Sequence, residues 1–136
     1  MKKLFLITSL LAAHFSLTAI VPLLPGDPKP PWWVGGRLIW PFAVETRTLI
    51  QGDLLNTLTP VLAFMSATAF LLAAAALLRR LVSGNWWSWL ITGGAVLGIL
   101  LQVIWFTGWA ILPILMNAAL LWAIFRRGVT VDRLRA

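Results

Sequence analysis

Four long apolar runs without any charged side chain constrain this chain more than any other feature. They cover residues 4–24, 60–78, 87–106 and 109–125, and none of them contains Asp, Glu, Lys or Arg. A helix that crosses the hydrocarbon core of a bilayer needs about 17–25 predominantly apolar residues. The runs therefore predict an all-α fold: a single membrane domain over residues 1–136, built as a bundle of four transmembrane helices at about residues 4–24, 60–80, 87–106 and 109–125.

The third and fourth runs are almost continuous, so the chain has to turn between them. One helix over residues 87–125 would be about 58 Å long at 1.5 Å per residue, roughly twice the thickness of the hydrocarbon core. Gly108, in the FTG sequence at 106–108, is expected to permit the turn. Pro60 and Pro113 are expected in the first turns of the second and fourth helices, with Thr59 as a candidate N-cap.

The basic residues lie at the ends of the runs, and this placement predicts the orientation. With the N-terminus inside, eight Lys and Arg residues face the cytoplasm and three face outward. The positive-inside rule then favours a multi-pass protein of the bacterial inner membrane, with both termini and a tail at residues 126–136 in the cytoplasm. The net charge of +7 is attributed to orientation and anionic lipid, not to nucleic acid, because the basic residues do not line one face. We interpret the first run as a retained signal anchor.

Residues 25–59 form the one long connection, which is predicted on the outer side. It begins with PGDPKPPWWVGGRLIWPF, rich in proline and tryptophan. Proline prevents regular helix there, and tryptophan favours the membrane–water interface. All nine tryptophans are predicted at an interface. The segment is interpreted as a passive connector or, alternatively, as a cover over a cavity or a docking surface.

Polar residues inside the runs are the candidate functional groups, since they are costly in lipid. His14 is the one ionisable side chain there, and a His14–Asn117 hydrogen bond would tie two helices together. Imidazole also ligates haem or chlorin metals, so His14 is a candidate cofactor-binding residue, and a proton relay is a further alternative. Neither a cofactor nor a metal site is predicted, because there is no second histidine and no cysteine.

Small residues recur at helical spacing and predict close helix packing. Gly94 and Gly98 form a GxxxG pattern in the third run, which lets helix backbones approach each other. Packing within the chain is the expected use, and an oligomer face is the alternative.

The end of the chain carries a family resemblance. The sequence WFTGWAILPILMNAALLWAIF, after the Ala-rich second run, resembles the last hairpin of small four-helix bacterial inner-membrane proteins, mostly of unassigned function. The chain is similar to DoxX-like proteins in size and helix count. The resemblance covers roughly residues 60–125, and it implies a fold without implying an activity or a site residue.

No catalytic motif is present in the sequence, so the leading hypothesis is a non-enzymatic accessory or assembly subunit. Its partners would be the lipid bilayer and either another integral membrane protein or further copies of itself. The alternative is a binder or carrier of an apolar molecule such as lipid, quinone or pigment. Its pocket would lie under the outer segment and involve Gln102, Trp105, Trp109 and Asn117. A third hypothesis is a small enzyme at the outer leaflet that uses Glu45 and Asp53.

Overall fold

A computed structural model describes residues 1–18, 47–50, 53–106 and 108–136. The described chain is mostly helical, which confirms the all-α prediction. The elements are α1 (Lys2–Thr18), β1 (Arg47–Thr48), α2 (Asp53–Leu77), α3 (Trp87–Ile104), β2 (Trp105–Phe106), α4 (Ile111–Phe125) and α5 (Val131–Arg135). Single 3-10 turns at Gly84–Trp86 and Gly108–Ala110 precede α3 and α4.

The long helices pack mainly as sequence neighbours. Helix α2 contacts α1 on one side and α3 on the other, and α3 also packs against α4. Small residues on α2 allow this approach, because several of its alanines are fully covered by neighbouring helices. Helices α1 and α4 contact each other much less. The bundle therefore has a loosely closed seam between its first and last long helices.

The second helix begins earlier than predicted. It starts at Asp53 instead of residue 60, so residues 53–59 of the predicted outer segment at 25–59 belong to α2. Pro60 consequently lies inside the helix and not in its first turn. Thr59 is not an N-cap, because its hydroxyl donates a hydrogen bond to the Leu55 carbonyl one turn back, at 2.7 Å.

The second helix ends at Leu77, three residues before the predicted end. The Arg80 amide donates to the Ala75 carbonyl and the Arg79 amide to the Ala76 carbonyl, as in a Schellman motif. Arg79 takes the left-handed position of that motif with a φ of 60°. Glycine is the residue that usually occupies this position.

The break between the third and fourth helices lies where it was predicted. Helix α3 ends at Ile104, and α4 begins at Ile111 with Pro113 in its first turn. The two residues after α3 form a short antiparallel ladder with β1, in which Thr48 is opposite Trp105. This ladder was not predicted, and it attaches part of the long connection to the hairpin. We call residues 105–110 the hairpin end of the bundle.

The predicted tail is folded. Thr130 caps α5 by accepting from the Arg133 amide, and Val131 and Leu134 are buried. The Arg135 guanidinium donates to the Ala76 carbonyl near the C-terminus of α2. A cation is favourable there, because a helix C-terminus carries partial negative charge.

The two ends of the bundle differ in charge. One end, called the basic end below, holds the eight residues Lys2, Lys3, Arg79, Arg80, Arg126, Arg127, Arg133 and Arg135. Contacts between the start of α1 and the start of α3, and between α5 and the end of α2, bring these residues to the same end. The first helix begins at Lys2 and is described to Thr18, so the predicted part at residues 19–24 lies outside the described residues.

The tryptophans do not all lie at an interface. Trp87 is 0% exposed and packs edge-on against Phe5, with ring centroids 5.8 Å apart. Its predicted anchoring role is wrong, because it fills the core between α1 and α3. Trp86 and Trp89 are exposed at 59% and 73%, which suits interfacial side chains. Trp32, Trp33 and Trp40 lie outside the described residues.

Two helical stretches in the described part are long and apolar enough to cross a membrane, namely Thr57–Leu77 and Gly84–Ile104. Helix α4 is apolar but shorter, and α1 has 17 residues in its described part. By length and composition, two of the four predicted spans therefore qualify.

Candidate functional site

A polar junction lies at the centre of the bundle, where the four long helices meet. Ser66 of α2 donates a hydrogen bond to the Gly94 carbonyl of α3 at 2.8 Å, and its hydroxyl lies 2.8 Å from that of Ser16 on α1. Asn117 of α4 approaches from the other side, packed on Gly98. Ser16, Ser66 and Asn117 are almost completely buried. This junction links all four helices through side chains that carry no charge.

The two serine hydroxyls share three close contacts. Besides the contacts above, Ser16 lies 2.9 Å from the Ala12 carbonyl of its own helix. Each hydroxyl has one proton, so two of the three contacts are hydrogen bonds at any moment. When Ser16 donates to Ser66 and Ser66 donates to the Gly94 carbonyl, the chain of bonds crosses three helices. Ser66 donates across to the Gly94 carbonyl of α3 and not to a carbonyl of its own helix.

The GxxxG pattern of α3 makes close contacts inside the chain. A Cβ atom added at Gly98 would lie 2.7 Å from Nδ2 of Asn117 and 3.2 Å from Oγ of Ser66. One added at Gly94 would lie 3.2 Å from the ring of Phe70. All three distances are shorter than the ~3.5–4.0 Å of an ordinary carbon contact. The prediction that these glycines serve packing within the chain is confirmed.

The predicted hydrogen bond between His14 and Asn117 is wrong. The Oδ1 of Asn117 and the Nε2 of His14 are both buried without a hydrogen-bond partner among the described residues. The reason is the rotation of α1: its buried stripe includes Ser9, Ala12 and Ser16, and His14 lies on the opposite side of the helix.

His14 shares the outward face of α1 with exposed leucine and isoleucine side chains. This face, called the outward α1 face below, consists of Ile7, Leu10, Leu11, His14 and Leu17. The imidazole is half-buried. Within the described residues no group of three or more His, Cys, Asp and Glu side chains could hold a metal ion. The cofactor-binding role of His14 stays a prediction.

The residues predicted to line an apolar pocket make separate contacts between helices. The Gln102 amide donates to the Phe15 carbonyl of α1 at 3.3 Å. The Trp105 indole donates to the Thr59 hydroxyl of α2 at 2.7 Å, and its ring packs with Leu55 and Leu101 in a second core cluster near the hairpin end.

Two of the predicted pocket residues link helices through these hydrogen bonds. Gln102 ties α3 to α1, and Trp105 ties the end of α3 to α2. Asn117 lies in the central junction, and the side chain of Trp109 is outside the described part of the chain. Their ligand-binding role stays a prediction. Glu45 and the Asp53 side chain are likewise outside the described part.

A groove at the basic end was missed by the sequence reasoning. It has a volume of about 630 Å³ and follows the seam between α1 and α4. Its walls are mainly apolar, whereas Arg127 and Arg133 line one part of it. From the sequence alone these arginines indicated only the orientation of the chain. Their position beside α1 depends on how the tail folds.

Searches with family models, curated proteins and solved structures found no match to this chain.

Proposed function

We propose that the protein is a non-enzymatic, four-helix multi-pass protein of the bacterial inner membrane that packs beside another integral membrane protein as an accessory or assembly subunit. Both termini and the basic end face the cytoplasm in this proposal. The predicted resemblance to small DoxX-like inner-membrane proteins is part of the same hypothesis.

The outward faces of the long helices support the membrane location. Large apolar side chains remain exposed on every one of them, such as Leu4 on α1, Phe64 on α2, Leu100 on α3 and Leu115 on α4. A soluble monomer rarely leaves contiguous apolar patches above a few hundred Å² uncovered, as a rough limit. Lipid is the solvent that these faces suit.

The lengths of the shorter helices are compatible with four crossings. Helix α4 spans about 22 Å at 1.5 Å per residue, and the 3-10 turn at Gly108–Ala110 extends it toward the hairpin end. The described part of α1 spans about 26 Å by the same rise, and the sequence stays apolar to residue 24. A hydrocarbon core of about 30 Å can be matched by such lengths through modest thinning and flanking residues.

The outward α1 face is the observation that carries the accessory role. An imidazole on a face that otherwise suits lipid is costly unless a polar group meets it. The buried Nε2 of His14 has no hydrogen-bond partner among the described residues. That atom is covered by the chain itself, so a polar group of a neighbouring membrane protein would meet the exposed part of the half-buried imidazole, and Leu10 and Leu11 would supply the apolar part of the contact.

Site-specific photo-crosslinking in native membranes tests this role. A photoreactive residue at Leu10 should give one protein adduct of defined mass, whereas the same residue at the exposed Phe64 of α2 should give lipid adducts only. His14→Ala should weaken the Leu10 adduct. A solitary monomer in mild detergent, with lipid adducts alone from both positions, would contradict the proposal.

A binder of an apolar molecule remains the second candidate function, and the groove at the basic end favours it. This groove lies away from the pocket predicted under the outer segment, on the opposite end of the bundle. An absorbance spectrum and an organic extract of the purified protein would identify a pigment, quinone or lipid that stays bound.

A further inference from the structure

The groove at the basic end has the shape of a site between two helices, open along the seam of the bundle. Leu4 and Phe5 of α1 form one wall, and Met116 and Leu120 of α4 form the other. Its volume of about 630 Å³ lies within the roughly 300–1,000 Å³ that small-molecule sites usually have. The apolar walls suit a hydrocarbon chain, which would enter sideways from the bilayer without crossing water.

Two arginines give the groove its charge. Arg127 and Arg133 both line it, from the turn after α4 and from α5. The guanidinium of Arg127 lies over the Trp122 ring, 4.9 Å from its centroid, and that of Arg133 donates to the Gly128 carbonyl at 3.3 Å. These contacts hold both cations at the groove while leaving further N–H donors free for an anion.

No acidic side chain in the described part of the chain neutralises these arginines. Asp132 is next to Arg133 in sequence and is exposed, yet neither arginine forms an ion pair with a described carboxylate. The other cations of the basic end add to the same positive potential. Guanidinium groups with free donors are well suited to phosphate, which accepts two parallel hydrogen bonds.

We propose that this groove binds one anionic phospholipid, with an acyl chain in the seam between α1 and α4 and the phosphate between Arg127 and Arg133. The site rests on the proposed membrane location, because it places the phosphate at the cytoplasmic headgroup level. Basic pockets between transmembrane helices on the cytoplasmic side are known to bind anionic headgroups in this way. The lipid would close the seam that α1 and α4 leave open.

Native mass spectrometry of the full chain in neutral detergent tests the site. With equal amounts of phosphatidylglycerol and phosphatidylcholine, the protein should retain one phosphatidylglycerol molecule in preference. Each arginine near a charged headgroup is worth about 1 kcal/mol, so Arg127→Gln with Arg133→Gln should weaken phosphatidylglycerol binding by roughly 10- to 30-fold. Phosphatidylcholine binding should change little.

Matched variants separate the groove from general charge attraction. Arg79→Gln with Arg80→Gln removes the same charge from the same end but not from the groove, and should leave the preference intact. Ala119→Phe, at an exposed position of the groove wall, should reduce binding of both lipids by filling the seam. Glycerol phosphate, which has the headgroup but no chain, should not compete.

Three results would overturn the inference: no preference for phosphatidylglycerol, an equal loss in both double-arginine variants, or full competition by glycerol phosphate. Alkaline carbonate extraction of membranes distinguishes its failure from failure of the proposed function. A protein that stays in the membrane but shows no lipid preference lacks only this site, whereas one that washes off lacks the membrane role as well.

Discussion

Replacing Gly98 by alanine tests the packing of the central junction most sharply. The new methyl would lie 2.7 Å from the Asn117 amide nitrogen and 3.2 Å from the Ser66 hydroxyl, inside the ~3.5–4.0 Å of ordinary contacts. Overpacking of this kind costs about 1–3 kcal/mol, whereas replacing a helical glycine by alanine gains up to about 1 kcal/mol. We expect Gly98→Ala to lower the free energy of unfolding by about 0–3 kcal/mol from these two contributions.

Gly93 provides the matched control on the same helix. A Cβ atom there meets nothing within 4 Å, so Gly93→Ala should keep the gain of about 0.5–1 kcal/mol without a steric cost. The free energies of unfolding of the two variants should therefore differ by about 1–3 kcal/mol. Gly93→Ala should be more stable than the natural protein, and Gly98→Ala should be equally stable or less stable.

The assay is reversible unfolding in mixed micelles, followed by tryptophan fluorescence. The double variant Gly98→Ala with Asn117→Ala removes the amide that the methyl strikes, so it should recover part of the loss. Non-additivity of about 0.5–3 kcal/mol between residues in contact is the expected sign of that recovery. Equal effects at Gly93 and Gly98, or no recovery in the double variant, would refute the reasoning.

Three further changes can be followed by the same unfolding assay. Ser66→Ala removes the hydroxyl that joins three helices and should lower the free energy of unfolding by about 0.6–2 kcal/mol. The control Ser83→Ala, at an exposed position, should leave it almost unchanged. Trp105→Phe keeps the ring packing but removes the indole hydrogen bond, so a loss of about 1 kcal/mol is expected. Arg79→Gly relieves a left-handed residue with φ of 60° and should gain about 0.5–1 kcal/mol, whereas Arg80→Gly, with no positive φ, should give no gain. A loss in Arg79→Gly equal to that in Arg80→Gly would contradict the strain argument.

The helices and their close contacts could be predicted because their causes are local. The break between α3 and α4 follows from the length of the apolar run and from Gly108, and both helices lie within two residues of their predicted bounds at every end. The glycine pattern of α3 also predicted close packing, since removing Cβ atoms has the same effect whichever helix approaches.

Other features depend on partners that the local sequence does not specify. Proline at position 60 suggests a helix start, yet α2 begins about two turns earlier, at Asp53. Trp87 belongs by type at an interface, but Phe5 and its neighbours cover it completely. Arg135 was assigned to a cytoplasmic tail, yet its guanidinium donates to the Ala76 carbonyl near the end of α2.

For the candidate site, too, the sequence predicted which residues matter but not what they contact. The sequence identified His14, Gln102 and Asn117 as costly polar groups in apolar helices, but the rotation of each helix decides what they contact. Gln102 reaches a backbone carbonyl of α1, and His14 turns away from the bundle. The groove could not be predicted, because it forms only when the folded tail brings two arginines beside α1.

The proposed insertion and orientation of the bundle are tested most directly by single cysteines, since the sequence contains no natural cysteine. Cysteine is placed at Ser83, exposed at the basic end, or at Phe106, exposed at the hairpin end. A membrane-impermeant maleimide added to intact spheroplasts should label the Phe106→Cys variant at once and the Ser83→Cys variant only after the membrane is opened. Labelling of both variants in intact spheroplasts, or of Ser83→Cys alone, would contradict an inserted bundle whose basic end faces the cytoplasm.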